Sequence, residues 1–190
     1  MGESNNKMNF VNSKKGKLLI TTVSIIVLIL GVYIFTRSDE YLSTNEIKVY
    51  YKVKTNNWSW WSKNGSQAGD LKTPIKDIKT KIRTKYKGNL DLRVYSKGSW
   101  SNSCLNNTEC NFNKNISGIK VALTGTLVKR YNVYYRVHVD KKWTKWTSNG
   151  KALGDKNKKI DGIEIKIIPE NVNVKDYIED YDGEENNLDL

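Results

Sequence analysis

The residues of this 190-residue chain with the most distinctive chemistry are six tryptophans, one histidine and two cysteines. Five of the tryptophans stand close to lysine. Trp58, Trp60 and Trp61 precede Lys63, and Trp143 and Trp146 flank Lys145. An indole ring on an outer face buries apolar area against a sugar ring, and a neighbouring ammonium attracts an anion. Trp61 and Trp146, with Trp60, Lys63 and Lys145, are therefore the candidate ligand-binding residues. Trp58, Trp100 and Trp143 recur at equivalent places along the chain and are expected to be structural core. Three positions further along an extended strand the side chain lies on the opposite face. With Trp58 and Trp143 inward, Trp61 and Trp146 point outward.

Catalysis has little to work with. His138 falls among alternating strand residues and reads as a structural side chain rather than a base. Asp70 and Asp155 recur in equivalent Gly-Asp steps, as repeated turn chemistry does. No nucleophile stands beside a base, and no glycine-rich phosphate loop occurs. The chain is expected not to be an enzyme, and to hold no cofactor or metal: one histidine and two cysteines are too few for a zinc site. Cys104 and Cys110 lie six residues apart, close enough to close a small disulfide loop in an oxidising compartment. Free thiols are the other reading.

The elements that must position these residues come from an internal repeat. Trp58, Trp61, Asn64, Gly65, Gly69, Asp70, Ile75, Ile78 and Ile82 match Trp143, Trp146, Asn149, Gly150, Gly154, Asp155, Ile160, Ile163 and Ile167, every pair 85 residues apart. A worn middle copy sits between them. Leu92-Arg93-Val94 precedes Trp100, and Ile116-Ser117-Gly118-Ile119 matches Ile160-Asp161-Gly162-Ile163, with Asn106-Asn107 in place of Asn-Gly. Three copies result, 47–88, 89–130 and 131–169. Each is rich in Val, Tyr and Ile and is punctuated by Asn-Gly, the favoured hairpin turn. Ile163-Glu164-Ile165-Lys166-Ile167 alternates strictly and predicts a strand with one buried face. The expectation is an all-β domain of three repeats with pseudo-threefold symmetry, a β-prism or else a β-trefoil, whose units share a core that none could bury alone.

The run Tyr135-Arg136-Val137-His138-Val139, then Trp143-x-x-Trp146-x-x-Asn149-Gly150, then Gly154 and an Ile-rich strand, resembles the clostridial hydrophobic repeats with a conserved tryptophan, the ChW family. The resemblance covers about two thirds of the chain. It implies export, a surface location and an adhesive or glycan-binding role.

The flanks complete the organisation. Residues 1–17 read as a polar cytoplasmic arm. Leu18 to Phe35 contains eighteen residues without a charge, which predicts one transmembrane signal anchor over 18–36. Lysines on its N-terminal side put the N-terminus in the cytoplasm and the C-terminus outside the cell membrane. Residues 37–46 form a linker. Residues 170–190 carry eight acids against Lys175 and read as an acidic disordered tail. From Ile47 to Pro169, 26 basic residues face 8 acidic ones, a charge of +18. Two function classes follow. One is a membrane-anchored extracellular module that binds a cell-wall or surface glycan or an anionic envelope polymer. The other is a protein-interaction subunit of an envelope complex or adhesin. Nucleic acid is disfavoured, because no recognised motif accompanies the basic charge.

Overall fold

The computed structural model describes residues 23–29, 46–110 and 114–181. The chain divides into two compact units, 1–41 and 42–190. In the first, a helix runs over 23–29. Seven residues at about 1.5 Å rise span roughly 10 Å, a third of the hydrocarbon thickness. Among the described residues no helix is long and apolar enough to cross a membrane. This overturns the expected single-pass anchor over 18–36 and the cell-membrane localisation drawn from it: the run is apolar, but its described helix is too short. The remainder of that stretch, the arm over 1–17 and most of the 37–46 linker lie outside the described residues, as do 111–113 and 182–190.

The second unit is built from strands. The first repeat contributes β1 (Ile47–Lys54), β2 (Ser62–Lys63) and β3 (Asp77–Thr84). The second contributes β4 (Leu90–Ser96), β5 (Ser99–Trp100), β6 (Cys104–Leu105) and β7 (Gly118–Leu123). The third contributes β8 (Tyr131–Val139), β9 (Lys142–Trp143), β10 (Thr147–Ser148), β11 (Leu153–Gly154) and β12 (Ile160–Pro169). In each repeat the two long strands pair antiparallel: β1 with β3, β4 with β7, and β8 with β12. The all-β expectation therefore holds for this unit.

Local sequence explains the turns and caps of the long strand pairs. Asn64-Gly65 and Asn149-Gly150 adopt the positive φ values their turns require, 39° and 85°, then 49° and 81°. In the middle repeat Asn107 takes that conformation at 64°. The first asparagine of each turn accepts a backbone N–H from the opposite strand, Val49 at 3.1 Å, Leu90 at 3.0 Å and Val133 at 3.0 Å. A hydroxyl residue follows each recurrent tryptophan and does the same at the other end: Ser59 accepts from Val53, Ser101 from Val94 and Thr144 from Val137. Turn and cap together fix the register in which side chains alternate between faces.

The inward face is built of branched aliphatics and tyrosines. Val49, Tyr51, Val53, Ile78, Leu92, Val94, Ile119, Val121, Val133, Tyr135, Val137, Ile163 and Ile165 form one continuous core. Short segments join the repeats. Ala68 exchanges two backbone bonds with Ile163, β11 pairs with β7, and Glu109 bridges to Lys79. Gly69 and Gly154 are glycine because of these joins: a Cβ would stand 2.3 Å from the Asp161 carbonyl at one and 2.1 Å from that of Ser117 at the other. At the centre three isoleucines link in a circuit. The Ile75 N–H donates to Ile160 at 2.9 Å, Ile160 to Ile116 at 2.9 Å, and Ile116 to Ile75 at 2.8 Å.

The C-terminal segment departs from expectation. Residues 170–181 do not trail away. A 3-10 turn, Val174–Asp176, is capped by the Asn173 side chain. Ile178, 3% exposed, packs with Tyr134, Trp146 and Ile168, and Val172, Val174, Tyr177 and Tyr181 join the cluster. The acids of the segment disguise five apolar or aromatic anchors, and these supply the packing that a purely polar tail would lack.

Candidate binding face

Both long strands of each repeat present alternate residues outward, and there the tryptophans gather. Lys54 bridges across to Trp58, Tyr95 pairs with Trp100, and His138 with Trp143. Directly opposed residues share a face. Lys54 and Tyr95 lie outward, so their partners do too. Trp58, Trp100 and Trp143 are half-buried and stand outside the core. The expectation that they form the structural core is corrected: branched aliphatics and tyrosines fill the interior, and the recurrent indoles cover the outside of the sheet.

The second expectation about parity also fails, for a physical reason. The chain is not extended between Trp58 and Trp61, because the Ser59 N–H and hydroxyl both turn back to Val53. Thr144 does the same to Val137. The two indoles of each pair consequently share one face and one cation. The Lys52 ammonium lies 4.6 Å from the Trp58 ring and 5.1 Å from that of Trp61. The Arg136 guanidinium lies 5.1 Å from Trp143 and 4.8 Å from Trp146.

From that point the first and third repeats differ. In the first, the face carries a ladder of rings and cations. Lys81 lies 4.1 Å from Trp61 and 5.4 Å from Tyr50, Arg83 lies 5.6 Å from Tyr50, and Lys54 lies 6.0 Å from Trp58. Among the described residues no carboxylate pairs with Lys52, Lys54, Lys81 or Arg83. Lys63 stands exposed across from Tyr50. Trp60 is 93% exposed. It edges a depression lined by Trp58, Gln67, Gly69 and Asp70. The Thr73 N–H and hydroxyl hold the Asp70 carboxyl below its usual range.

In the third repeat, the same face is covered. Trp146 is only 6% exposed, and its indole N–H donates to Asp180 at 3.2 Å. Its expected role as an open stacking platform is corrected: the segment 172–181 lies across it. Arg136 pairs with Glu164 at 2.7 Å and with Asp180 at 2.9 Å. Tyr181 meets Tyr134 edge-on at 5.3 Å. The Lys166 ammonium donates to the Tyr177 carbonyl, and burial pushes its pKa below the usual lysine range. Lys145 remains exposed.

The structure thus sets Trp61 against Lys52 and Lys81 and Lys63 across from Tyr50, leaves Trp60 open beside Trp58, and covers Trp146. Sequence reasoning missed Lys52, Lys81, Arg83 and Arg136. Their signal was present, since each is a basic residue alternating with Val or Ile in a strand.

Elsewhere, His138 is buried with Nδ1 2.5 Å from Asp161 and its ring edge-on to Trp143 at 5.4 Å. Cys104 and Cys110 are joined in a disulfide, their Cα atoms 5.3 Å apart. Among the described residues no group of three or more His, Cys, Asp or Glu is placed to hold a metal ion. Comparison of the chain with protein-family models, curated proteins and solved structures found no match to any of them.

Proposed function

We propose that the β domain is a non-catalytic binding module for an anionic ligand, taken by the first repeat's outer face. The observation that carries this is the cation ladder itself. Lys52, Lys54, Lys81 and Arg83 are held against Tyr50, Trp58 and Trp61 with no carboxylate from the described chain to neutralise them. Ring faces fix the positions of otherwise mobile ammonium groups, at about 0.5–1 kcal/mol per exposed contact. A fixed array of positive charge is preorganised for an anion. The charge of +18 over 47–169 adds a long-range attraction of the same sign.

A neutral sugar is the weaker candidate. The Trp61 ring has ammonium groups of Lys52 and Lys81 within 5.1 Å and 4.1 Å, and Trp146 is covered. Among the described tryptophans only Trp60 offers an open ring. We read the scaffold as three equivalent units in a prism-like ring, divergent copies of the ChW type. The equivalent asparagine and hydroxyl bonds and the isoleucine circuit support that reading. The long strands of different repeats are separated by short bridging segments, which favours a prism over a trefoil barrel.

The test is retention of the full chain on immobilised poly(glycerol phosphate) as salt is raised. Screening shortens from about 10 Å at 0.1 M to about 3 Å at 1 M. Release should therefore come well below 1 M for the native chain, and earlier for Lys52→Gln/Lys81→Gln/Arg83→Gln. Equal retention of the two proteins would move the binding away from this face.

A further inference from the structure

The third repeat contains, in effect, an occupied version of the first repeat's face. Strand register sets the equivalence. Tyr50 lies across from Lys81 and Lys63, as Tyr134 does from Lys166 and Ser148. Lys52 lies across from Lys79, and Arg136 from Glu164. Tyr50, Lys52, Trp61 and Lys81 thus occupy the places of Tyr134, Arg136, Trp146 and Lys166. On the latter four lies an acidic peptide, the chain's own 172–181. It presents Asp180 to both Arg136 and the Trp146 indole, the Tyr177 carbonyl to Lys166, and the Tyr181 ring to Tyr134.

Resting on the reading of this face as an anion site, we propose that the first repeat's face docks an acidic, tyrosine-bearing peptide segment of a partner protein, by the contacts that 172–181 makes in the third repeat. Two differences define what that peptide must be. Glu164, which shares Arg136 with Asp180, is replaced by Lys79. Ile168, against which Ile178 packs, is replaced by Arg83, whose guanidinium lies over Tyr50. The chain's own segment is therefore mismatched at one position, where an aliphatic side chain would meet a guanidinium. The fitting peptide carries an acid there and a higher negative charge throughout. Charge-assisted contacts to Lys52, Lys81 and Arg83 and an aromatic contact to Tyr50 would then replace the apolar cluster of the third repeat.

The probe is a fluorescein-labelled decapeptide with the sequence of residues 172–181 carrying Ile178→Glu, titrated into the full chain at low salt and followed by anisotropy. Saturable binding is expected. Lys81→Glu should weaken it roughly tenfold or more, about 1.4 kcal/mol, while the exposed Lys129→Gln, outside the first repeat, leaves it unchanged. A peptide with both tyrosines changed to serine keeps the charge and should bind several-fold more weakly. Melting curves of Lys81→Glu confirm that the variant is folded. If poly(glycerol phosphate) binds and loses its affinity on Lys81→Glu while the peptide does not bind, the peptide proposal is overturned and the anion site stands. If neither binds, both fall. Equal binding of the serine peptide, or equal loss with Lys129→Gln, marks diffuse charge attraction and also overturns the proposal. So does a self-association that Lys81→Glu abolishes, which would assign the face to a second copy of this chain.

Discussion

Replacing Trp146 with alanine separates the covered face from an open one. The indole is 6% exposed and touches Tyr134, Ile168 and Ile178. Its N–H reaches Asp180 at 3.2 Å. Truncating a tryptophan in a packed core costs about 3–5 kcal/mol. Here the lower end applies, because Ile178 and Tyr181 sit on a terminal segment that can leave once its anchor is gone. Arg136 keeps Glu164 at 2.7 Å, so no charge is orphaned. The expected loss is about 3 kcal/mol, a fall in melting temperature of roughly 10 °C for a domain of this size. A second signature is local: Lys175, within the docked segment, becomes a trypsin site far more quickly. Ile178→Ala removes the other half of the same contact, so the double variant should lose less than the sum of the singles. Trp60→Ala is the control, 93% exposed and expected within about 0.5 kcal/mol of the native chain. A Trp146→Ala protein that melts with Trp60→Ala and is cut at Lys175 no faster than the native chain would refute the reasoning.

Three further outcomes follow from the core and its joins. Gly154→Ala places a Cβ 2.1 Å from the Ser117 carbonyl at a φ of 136°, and should cost more than about 2 kcal/mol in chemical denaturation; a neutral result would mean that β11 and β7 are not held together. Burial raises the phenol pKa of Tyr51 and Tyr135 above the ordinary value, and that of Tyr131 to about 12. The stability they supply is present below about pH 10 and is lost as pH rises beyond it. Alkaline ultraviolet titration should therefore show part of the eleven tyrosines ionising only with unfolding, and reversible ionisation of all eleven in the folded protein would contradict the assignment. Reducing the Cys104–Cys110 loop, six residues in span, should destabilise by about 2 kcal/mol, read as a shift in the urea midpoint with an unchanged slope.

The all-β character was legible because its signals are local. Asn-Gly turns, alternating Ile and Val, and an 85-residue offset each state a backbone requirement that a neighbouring residue cannot override. The face was less legible. Tryptophan is apolar enough to suggest an interior, and two residues three apart suggest opposite sides only while the chain stays extended. Ser59 and Thr144 break that extension, and nothing in the tryptophan spacing announces it. The C-terminal segment misled for a similar reason. Its acids suggest solvation, while Tyr177, Ile178 and Tyr181 find their partners among Tyr134, Trp146 and Ile168, which come together only once the preceding strands have paired. The 18–36 stretch shows the limit of composition alone: it is apolar, yet among the described residues no helix is long and apolar enough to cross a membrane.

The isoleucine circuit also sets the order in which the domain can be made. Ile75 emerges from the ribosome 85 residues before Ile160, the group that receives its N–H. Until that last third appears, the first repeat has one open end, with the Ala68 backbone waiting for Ile163 as well. No repeat can therefore mature alone during synthesis, and the longest-range bonds are the ones that finish the structure. The nascent chain must carry exposed Val- and Ile-rich edges through most of its translation. Lys48, Lys52, Lys79 and Lys81 set like charge along those strands, the device by which exposed strand edges resist pairing with one another.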